Sequence, residues 1–154
     1  MTSGEVTADD RQWMELAIGL AHQCPPSAGA YSVGAVIVDT HGNELSRGYS
    51  RENDPHVHAE ESALAKLPPA DPRLDAATIY STLEPCSQRK SRPRTCTQLI
   101  LAAGIRRVVI AWLEPALFVA DCQGRELLEA AGVTVTEIPD LADRAREPNS
   151  HLAL

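Results

Sequence analysis

The sequence lacks several features that would each indicate a particular class of protein. No apolar run approaches the length of a membrane span, and no apolar stretch follows the first residues, so we expect neither a membrane protein nor a secreted one. Cysteine is scarce, with 4 residues in 154. Without an export signal, these cysteines indicate reduced thiols in the cytoplasm rather than a disulfide framework. We also find no internal repeat and no linker between domains.

Basic residues are in the minority, with 14 Lys and Arg against 21 Asp and Glu and a formal net charge of −7. This balance argues against a broad nucleic-acid-binding face. Four basic residues nevertheless fall within six positions, at Arg89, Lys90, Arg92 and Arg94. Such a cluster on an acidic protein indicates a site for a small anionic ligand, and a solvated loop is the alternative.

The spacing of apolar residues predicts an α/β fold. The predicted helices span residues 8–23, 58–67, 96–103 and 121–131. The predicted strands span residues 33–38, 44–49, 77–83, 107–112 and 133–138. The first two strands form an antiparallel hairpin, and the later strands alternate with helices, which favours parallel pairing. We therefore expect a three-layer α/β/α sandwich with a mixed five-stranded sheet.

The predicted elements place the whole chain, residues 1–154, in one domain. Its core is expected over about residues 8–138. Residues 139–154 are polar and weakly patterned, so they are expected to form a mobile C-terminal tail with at most a short helix near Leu141 to Arg146.

Three short segments combine into one candidate metal site, namely His58-Ala59-Glu60, Pro85-Cys86 and Cys96. Zn²⁺ accepts imidazole nitrogen and thiolate sulfur, and three protein ligands leave a fourth position for water, as in catalytic zinc sites. Glu60 can then move the proton of that water. The combination is typical of zinc-dependent removal of an amino group from a base. Each segment alone is a weak signal, and their order in the chain makes the prediction specific.

The predicted elements also suit this chemistry. His58 and Glu60 fall in the first turn of one helix, and Cys86 and Cys96 fall at the start of another. Helix N-termini carry free N–H groups and positive potential, which stabilise thiolates and developing negative charge. Cys24 and Cys122 have no motif around them, so we interpret both as structural thiols.

The segment Ser81-Thr82-Leu83-Glu84-Pro85-Cys86-Ser87, followed by a long basic loop to Cys96, resembles the cytidine/deoxycytidylate deaminase superfamily. Within it, the chain looks most like the deaminase domain of the bifunctional riboflavin-biosynthesis deaminase/reductase. Most other members keep only two residues between these cysteines. The resemblance extends over roughly Asp10 to Ile138. It implies that His58, Cys86 and Cys96 bind Zn²⁺, that Glu60 shuttles protons, and that the protein is a homo-oligomer, a dimer or a tetramer.

The resemblance also implies a substrate, a diaminopyrimidinone that carries a ribosylamino 5′-phosphate. Arginine forks match phosphate oxygens, so the substrate phosphate is expected at Arg89, Lys90, Arg92 and Arg94. Asn53 and His56, which precede the His58 motif, are further candidate substrate contacts, and a surface position is the alternative for His56.

Three departures from the riboflavin type keep other substrates open. The loop between the two cysteines is one residue longer than in the riboflavin type, and the resemblance does not extend to the reductase domain. Ala30-Tyr31 also replaces an Asn-Pro pair whose Asn would contact the substrate. Asn53-Asp54-Pro55 also looks more like guanine and cytosine deaminases. The alternatives are therefore a deaminase of cytosine, guanine or deoxycytidylate, a tRNA-editing deaminase, and a catalytically silent zinc-binding partner protein.

Overall fold

The structure is a computed structural model that describes residues 5–87, 93–113, 115 and 123–152. These residues form five α-helices, five strands and three short 3-10 turns. The helices are α1 (Ala8–Ala21), α2 (Ala59–Ala65), α3 (Cys96–Ala103), α4 (Gly124–Ala130) and α5 (Ala142–Arg146). The strands are β1 (Gly34–Val38), β2 (Glu44–Tyr49), β3 (Thr78–Leu83), β4 (Arg107–Trp112) and β5 (Thr134–Glu137). The 3-10 turns span Pro72–Leu74, Pro139–Leu141 and Glu147–Asn149.

The five described strands form one mixed sheet in the order β2-β1-β3-β4-β5. β1 pairs antiparallel with β2 and with β3, whereas β4 pairs parallel with both β3 and β5. The predicted hairpin and the predicted parallel pairing are therefore confirmed. β1 lies between β2 and β3 and also contacts α1 and α2, which is why all five β1 residues are buried.

The helices cover both faces of the sheet, which confirms the three-layer α/β/α sandwich. α1 packs on β1 and β3 beside α5, and α2 packs on β1 and β2. Two glycines allow this close packing. A Cβ atom on Gly34 would lie 1.9 Å from the Ala17 carbonyl oxygen of α1, and one on Gly48 would lie 2.7 Å from the Ala59 carbonyl oxygen of α2. Both helices thus contact the sheet backbone directly.

The helix ends differ slightly from those predicted. α1 ends at Ala21 and α2 at Ala65, each two residues before its predicted end. Ends of this kind are the least certain part of a pattern-based prediction, because the last turn leaves its carbonyl groups unpaired. Within the described ranges, we find no helix with the length and apolar composition needed to cross a membrane.

The C-terminal segment corrects the expected core boundary at residue 138. Instead of a mobile tail, residues 139–152 form successive helical turns against the sheet, and α5 lies close to the short helix that was predicted. Leu141, Ala145 and Asn149 are buried, and the first two belong to the main hydrophobic core. Their spacing of four residues places all three on one helical face. Because the residues between them are mostly polar, the composition of this segment does not indicate a buried face.

A buried carboxylate ties α1 to the sheet. Asp10 accepts a hydrogen bond of 2.6 Å from the Tyr80 hydroxyl and two of 2.8 Å from the Arg107 guanidinium. Burial alone would raise the pKa of Asp10, but the hydrogen bonds from Arg107, the Thr7 N–H and Tyr80 outweigh it. The pKa of this carboxyl is therefore held well below its usual range.

We expect Asp10→Asn to lower the free energy of unfolding by about 3 kcal/mol, because it leaves Arg107 without its partner. The neighbouring exposed Asp9→Asn is the matched control and should change it by less than about 0.5 kcal/mol. Since the folded-state pKa of Asp10 is depressed, its contribution is complete above about pH 4 and falls as the pH drops through that pKa. Urea unfolding at several pH values measures both effects, and equal losses in the two variants would contradict the assignment.

Candidate active site

The three candidate metal ligands meet at one point, although they come from three parts of the chain. His58 precedes α2, Cys86 follows β3, and Cys96 opens α3. The His58 Nδ1 atom lies 3.7 Å from the Cys86 Sγ atom and 3.4 Å from the Cys96 Sγ atom. All three donor atoms lie within 4.8 Å of one another. They form a compact cluster with both cysteines buried.

The spacing of these donor atoms fits a tetrahedral metal ion. With standard zinc bond lengths, tetrahedral geometry requires about 3.6 Å between sulfur and nitrogen ligands and about 3.8 Å between two sulfur ligands. The two observed sulfur–nitrogen distances lie on either side of the first value. The donor set of one imidazole and two thiols is also one that Zn²⁺ prefers.

The start of α3 stabilises Cys86 as a thiolate. The Cys96 N–H donates to the Cys86 Sγ atom at 3.3 Å, and the Thr97 N–H donates to the Cys86 carbonyl oxygen at 3.2 Å. A hydrogen bond from the Cys96 side chain has the largest effect on the pKa of Cys86, and burial opposes it. With the further contribution of His58, the pKa of Cys86 falls to about 4. Cys86 is thus held as a thiolate, which is the form of cysteine that can bind a metal ion.

Glu60 lies in the first turn of α2 and is 4% exposed. Its Oε2 atom accepts a hydrogen bond of 3.2 Å from the Ser81 hydroxyl of β3, which orients the carboxyl group. Burial raises the pKa of the Glu60 carboxyl, the positive charge of His58 lowers it, and the negative charge of Cys86 raises it again. A buried carboxyl with a raised pKa can both accept and return a proton near neutral pH.

Sequence reasoning did not assign Ser81 to the site. The side chain is fully buried, and its hydroxyl is also 2.9 Å from the Leu83 carbonyl oxygen. A signal was present in the sequence, because Ser81 and Thr82 are adjacent polar residues in the interior of a buried strand. Buried polar residues in a central strand need a partner, so such an interruption indicates a specific contact.

Glu84 is a second residue that sequence reasoning did not assign. It is buried, and its Oε2 atom accepts a hydrogen bond of 2.9 Å from the Arg125 N–H at the start of α4. Nearby, a Cβ atom on Gly124 would lie 2.0 Å from the Pro85 carbonyl oxygen. The segment that leads to Cys86 is therefore packed tightly against α4 on one side, as it is against α3 on the other.

The predicted substrate contacts are less well defined than the metal ligands. Asn53 and His56 are exposed on the loop between β2 and His58, where the His56 N–H donates to Asp54. Arg94 is exposed beside Thr95, the residue that caps α3, and it borders a surface depression shared with Gln98. Arg89, Lys90 and Arg92 lie outside the described residues, so phosphate binding there stays a prediction.

Two other sequence expectations concern cysteine and Tyr31. Cys24 is half-buried, with its Sγ atom 3.5 Å from the Val33 carbonyl oxygen, and burial raises the pKa of its thiol. Cys122 lies outside the described residues.

Tyr31 packs edge-on against Trp112, with ring centres 5.8 Å apart, and its hydroxyl donates to the Pro115 carbonyl oxygen. Tyr31, which takes the place of the Pro in the Asn-Pro pair, therefore supports the fold.

Comparisons with known proteins agree with this geometry. The chain is 44% identical over 128 residues to a diaminohydroxyphosphoribosylamino-pyrimidine deaminase of Schizosaccharomyces pombe, an alignment that covers 82% of this chain and 31% of that protein. It is 31% identical over 141 residues to a cytosine deaminase of Candida albicans, covering 88% of this chain and 84% of that protein. The chain thus spans about a third of the first relative but most of the second.

A solved structure gives the same picture. The Thermotoga maritima diaminohydroxyphosphoribosylaminopyrimidine deaminase/5-amino-6-(5-phosphoribosylamino)uracil reductase superposes with a TM-score of 0.76 and 30% sequence identity. The superposition covers 89% of this chain and 38% of that chain. A sequence model of the cytidine and deoxycytidylate deaminase zinc-binding region matches residues 7–112, which include His58, Glu60, Cys86 and Cys96. The chain therefore belongs to the cytidine and deoxycytidylate deaminase family.

Proposed function

We propose that this protein is a zinc-dependent hydrolytic deaminase that removes an exocyclic amino group from a phosphorylated aminopyrimidine. The observation that carries the proposal is the convergence of the His58, Cys86 and Cys96 donor atoms near a buried carboxyl group, Glu60. Structural zinc sites close the fourth position with another protein ligand. Among the described residues the cluster has three ligands, which is the donor number of a catalytic site.

Zinc held by His58, Cys86 and Cys96 would act as a Lewis acid that lowers the pKa of a water molecule. Glu60 would accept one proton from the water as the water oxygen bonds to the ring carbon that carries the amino group, and would pass this proton to the adjacent ring nitrogen. The same carboxyl would then carry the second proton, from the new hydroxyl group, to the amino group, which leaves as ammonia. The carbon–nitrogen bond breaks, a carbonyl group forms, and no oxidant or reductant is needed. The Ser81 hydroxyl keeps the Glu60 carboxyl oriented through these transfers.

The similarity to the Schizosaccharomyces pombe and Thermotoga maritima proteins favours diaminohydroxyphosphoribosylaminopyrimidine as the substrate. The basic residues between the two cysteines support a phosphorylated substrate, because Arg side chains bind phosphate oxygens in a bidentate manner. Thiol ligands remain available for metal in a reducing compartment, so a cytoplasmic location suits this function. The homo-oligomer that the family resemblance implies stays a prediction.

A second candidate function is deamination of a free base such as cytosine. It is favoured by the cytosine deaminase relative, most of whose length this chain covers, and by Asn53-Asp54-Pro55 ahead of His58. The net charge of −7 disfavours the tRNA-editing alternative, which needs a broad basic face. The intact Glu60 disfavours a silent zinc-binding protein.

Ammonia release from a panel of substrates tests the proposal. The panel contains diaminohydroxyphosphoribosylaminopyrimidine, cytosine, guanine and deoxycytidylate. We expect the phosphorylated pyrimidinone to be deaminated and Glu60→Gln to lower kcat by at least about 100-fold, because the proton shuttle is lost. The exposed Glu126→Gln is the matched control and should retain full activity. Activity on free bases alone would replace the proposed substrate, and equal activity of Glu60→Gln and Glu126→Gln would exclude the proposed mechanism.

Metal content tests the ligand set. We expect about one Zn²⁺ per chain in the unmodified protein by elemental analysis, because three strong ligands converge. Cys86→Ser and Cys96→Ser should each lose most of the metal, whereas Cys24→Ser, which changes a thiol bonded to backbone carbonyl oxygens, should keep it. Full metal retention in Cys96→Ser would show that another residue is the third ligand.

Ser81→Ala tests the orientation of Glu60. We expect kcat to fall about tenfold with zinc content unchanged, because the carboxyl group loses the hydrogen bond that fixes its position. Ser46→Ala is the matched control, since Ser46 is also buried and also donates to α2, through the Ala63 carbonyl oxygen. It should lower stability and leave kcat intact. A similar kcat in the two variants would remove Ser81 from the site.

A further inference from the structure

The segment before β1, residues 30–33, borders the candidate active site. In the antiparallel register of β1 and β3, Ala35 lies opposite Ser81, so the chain before β1 runs alongside the end of β3 that leads to Cys86. The Gly34 N–H donates to the Thr82 hydroxyl at 3.2 Å, which fixes this arrangement. On the other side, Val33 exchanges hydrogen bonds with Ser50, where the loop to His58 begins. The segment thus lies between the chains that lead to two metal ligands.

The C-terminal turn holds this segment through the side chain of Asn149, which is 1% exposed. The Asn149 Oδ1 atom accepts a hydrogen bond of 2.6 Å from the Ser32 N–H, and its Nδ2 atom donates to the Ser32 carbonyl oxygen at 3.1 Å. One side-chain amide therefore satisfies both backbone groups of Ser32, as the neighbouring strand of a sheet would. Two residues further on, the His151 Nε2 atom lies 2.7 Å from the Ser27 carbonyl oxygen.

The opposite side of the segment is held by Arg51. Its guanidinium donates to the Pro25 and Tyr31 carbonyl oxygens and to the Ser32 hydroxyl, at distances between 2.7 and 3.1 Å. Arg51 has a left-handed φ of 60°, a conformation that costs energy for a residue with a side chain. Ser32 is thus bonded from two directions, by the loop that leads to His58 and by the C-terminal turn.

We infer that Asn149 is a positioning residue that fixes residues 30–33 as one wall of the substrate pocket. Asn149 acts on this wall through both backbone groups of Ser32. Removing the amide would leave the buried Ser32 N–H and carbonyl groups unpaired and the wall free to shift, while the metal ligands and Glu60 keep their own contacts. The inference rests on the proposed deaminase function, because it names a determinant of substrate binding in that same site.

The test compares Asn149→Ala with Ser150→Ala, an exposed neighbour in the same turn. We expect Asn149→Ala to raise KM about tenfold, with kcat changed less than about twofold and zinc content unchanged. The reason is that contacts with this wall bind the substrate equally in the ground state and in the transition state. Hydrogen–deuterium exchange of the Ser32 amide should be faster in Asn149→Ala and unchanged in Ser150→Ala. His151→Ala, in which an exposed side chain is removed, should raise KM less and in the same direction, and it keeps the test available if Asn149→Ala fails to fold.

Unchanged KM in a folded, zinc-loaded Asn149→Ala would overturn the inference, as would faster Ser32 exchange without any change in KM. Parallel losses of zinc, kcat and thermal stability would also overturn it, since they would show a purely structural role. If the unmodified protein releases no ammonia from any member of the panel, the proposed function fails instead. Failure of the proposed function and failure of this inference are therefore distinguishable.

Discussion

The site depends on the contact between the segment after β3 and the first turn of α3. The N–H groups of Cys96 and Thr97 bind the sulfur and the carbonyl oxygen of Cys86, so one helix start fixes both cysteines at once. Glu84 and Gly124 hold the same segment against α4. His58 is brought in separately by α2. A helix start suits this role because its unpaired N–H groups favour thiolate and need partners of their own.

The position of α2 follows from how closely it approaches the sheet. Gly48 lets the backbone of α2 pack on β2, and this contact carries His58 and Glu60 toward the end of β3. Ser81, in the central strand β3, donates a hydrogen bond to the Glu60 carboxyl. On the other face, the Asp10–Arg107 ion pair and the Tyr80 hydroxyl fix α1 to β3 and β4. The Glu60 carboxyl is therefore supported by rigid elements and not by loops.

Much of the architecture could be predicted because apolar periodicity is a local property. The strands around Ile37 and Val109 are nearly continuous apolar runs, as buried central strands require. The insertion of β1 next to β3 could not be predicted, because it depends on pairing between distant segments. The packing of the C-terminal turns on the core could not be predicted, because their buried residues, Leu141, Ala145 and Asn149, occur only once in each helical turn. Ala142 and Leu152 are only partly buried against the core.

The sequence by itself determined which chemical groups are available to the candidate site. His58, Cys86 and Cys96 supply one imidazole and two thiols, Glu60 supplies a carboxyl group, and all four lie within residues 7–112, which the family model matches. Only the tertiary structure decided which groups surround them. Ser81 at Glu60 and Asn149 at Ser32 are contacts between residues 21 and 117 positions apart. Such contacts leave no periodic trace, because they arise from strand register and helix packing and not from local preference.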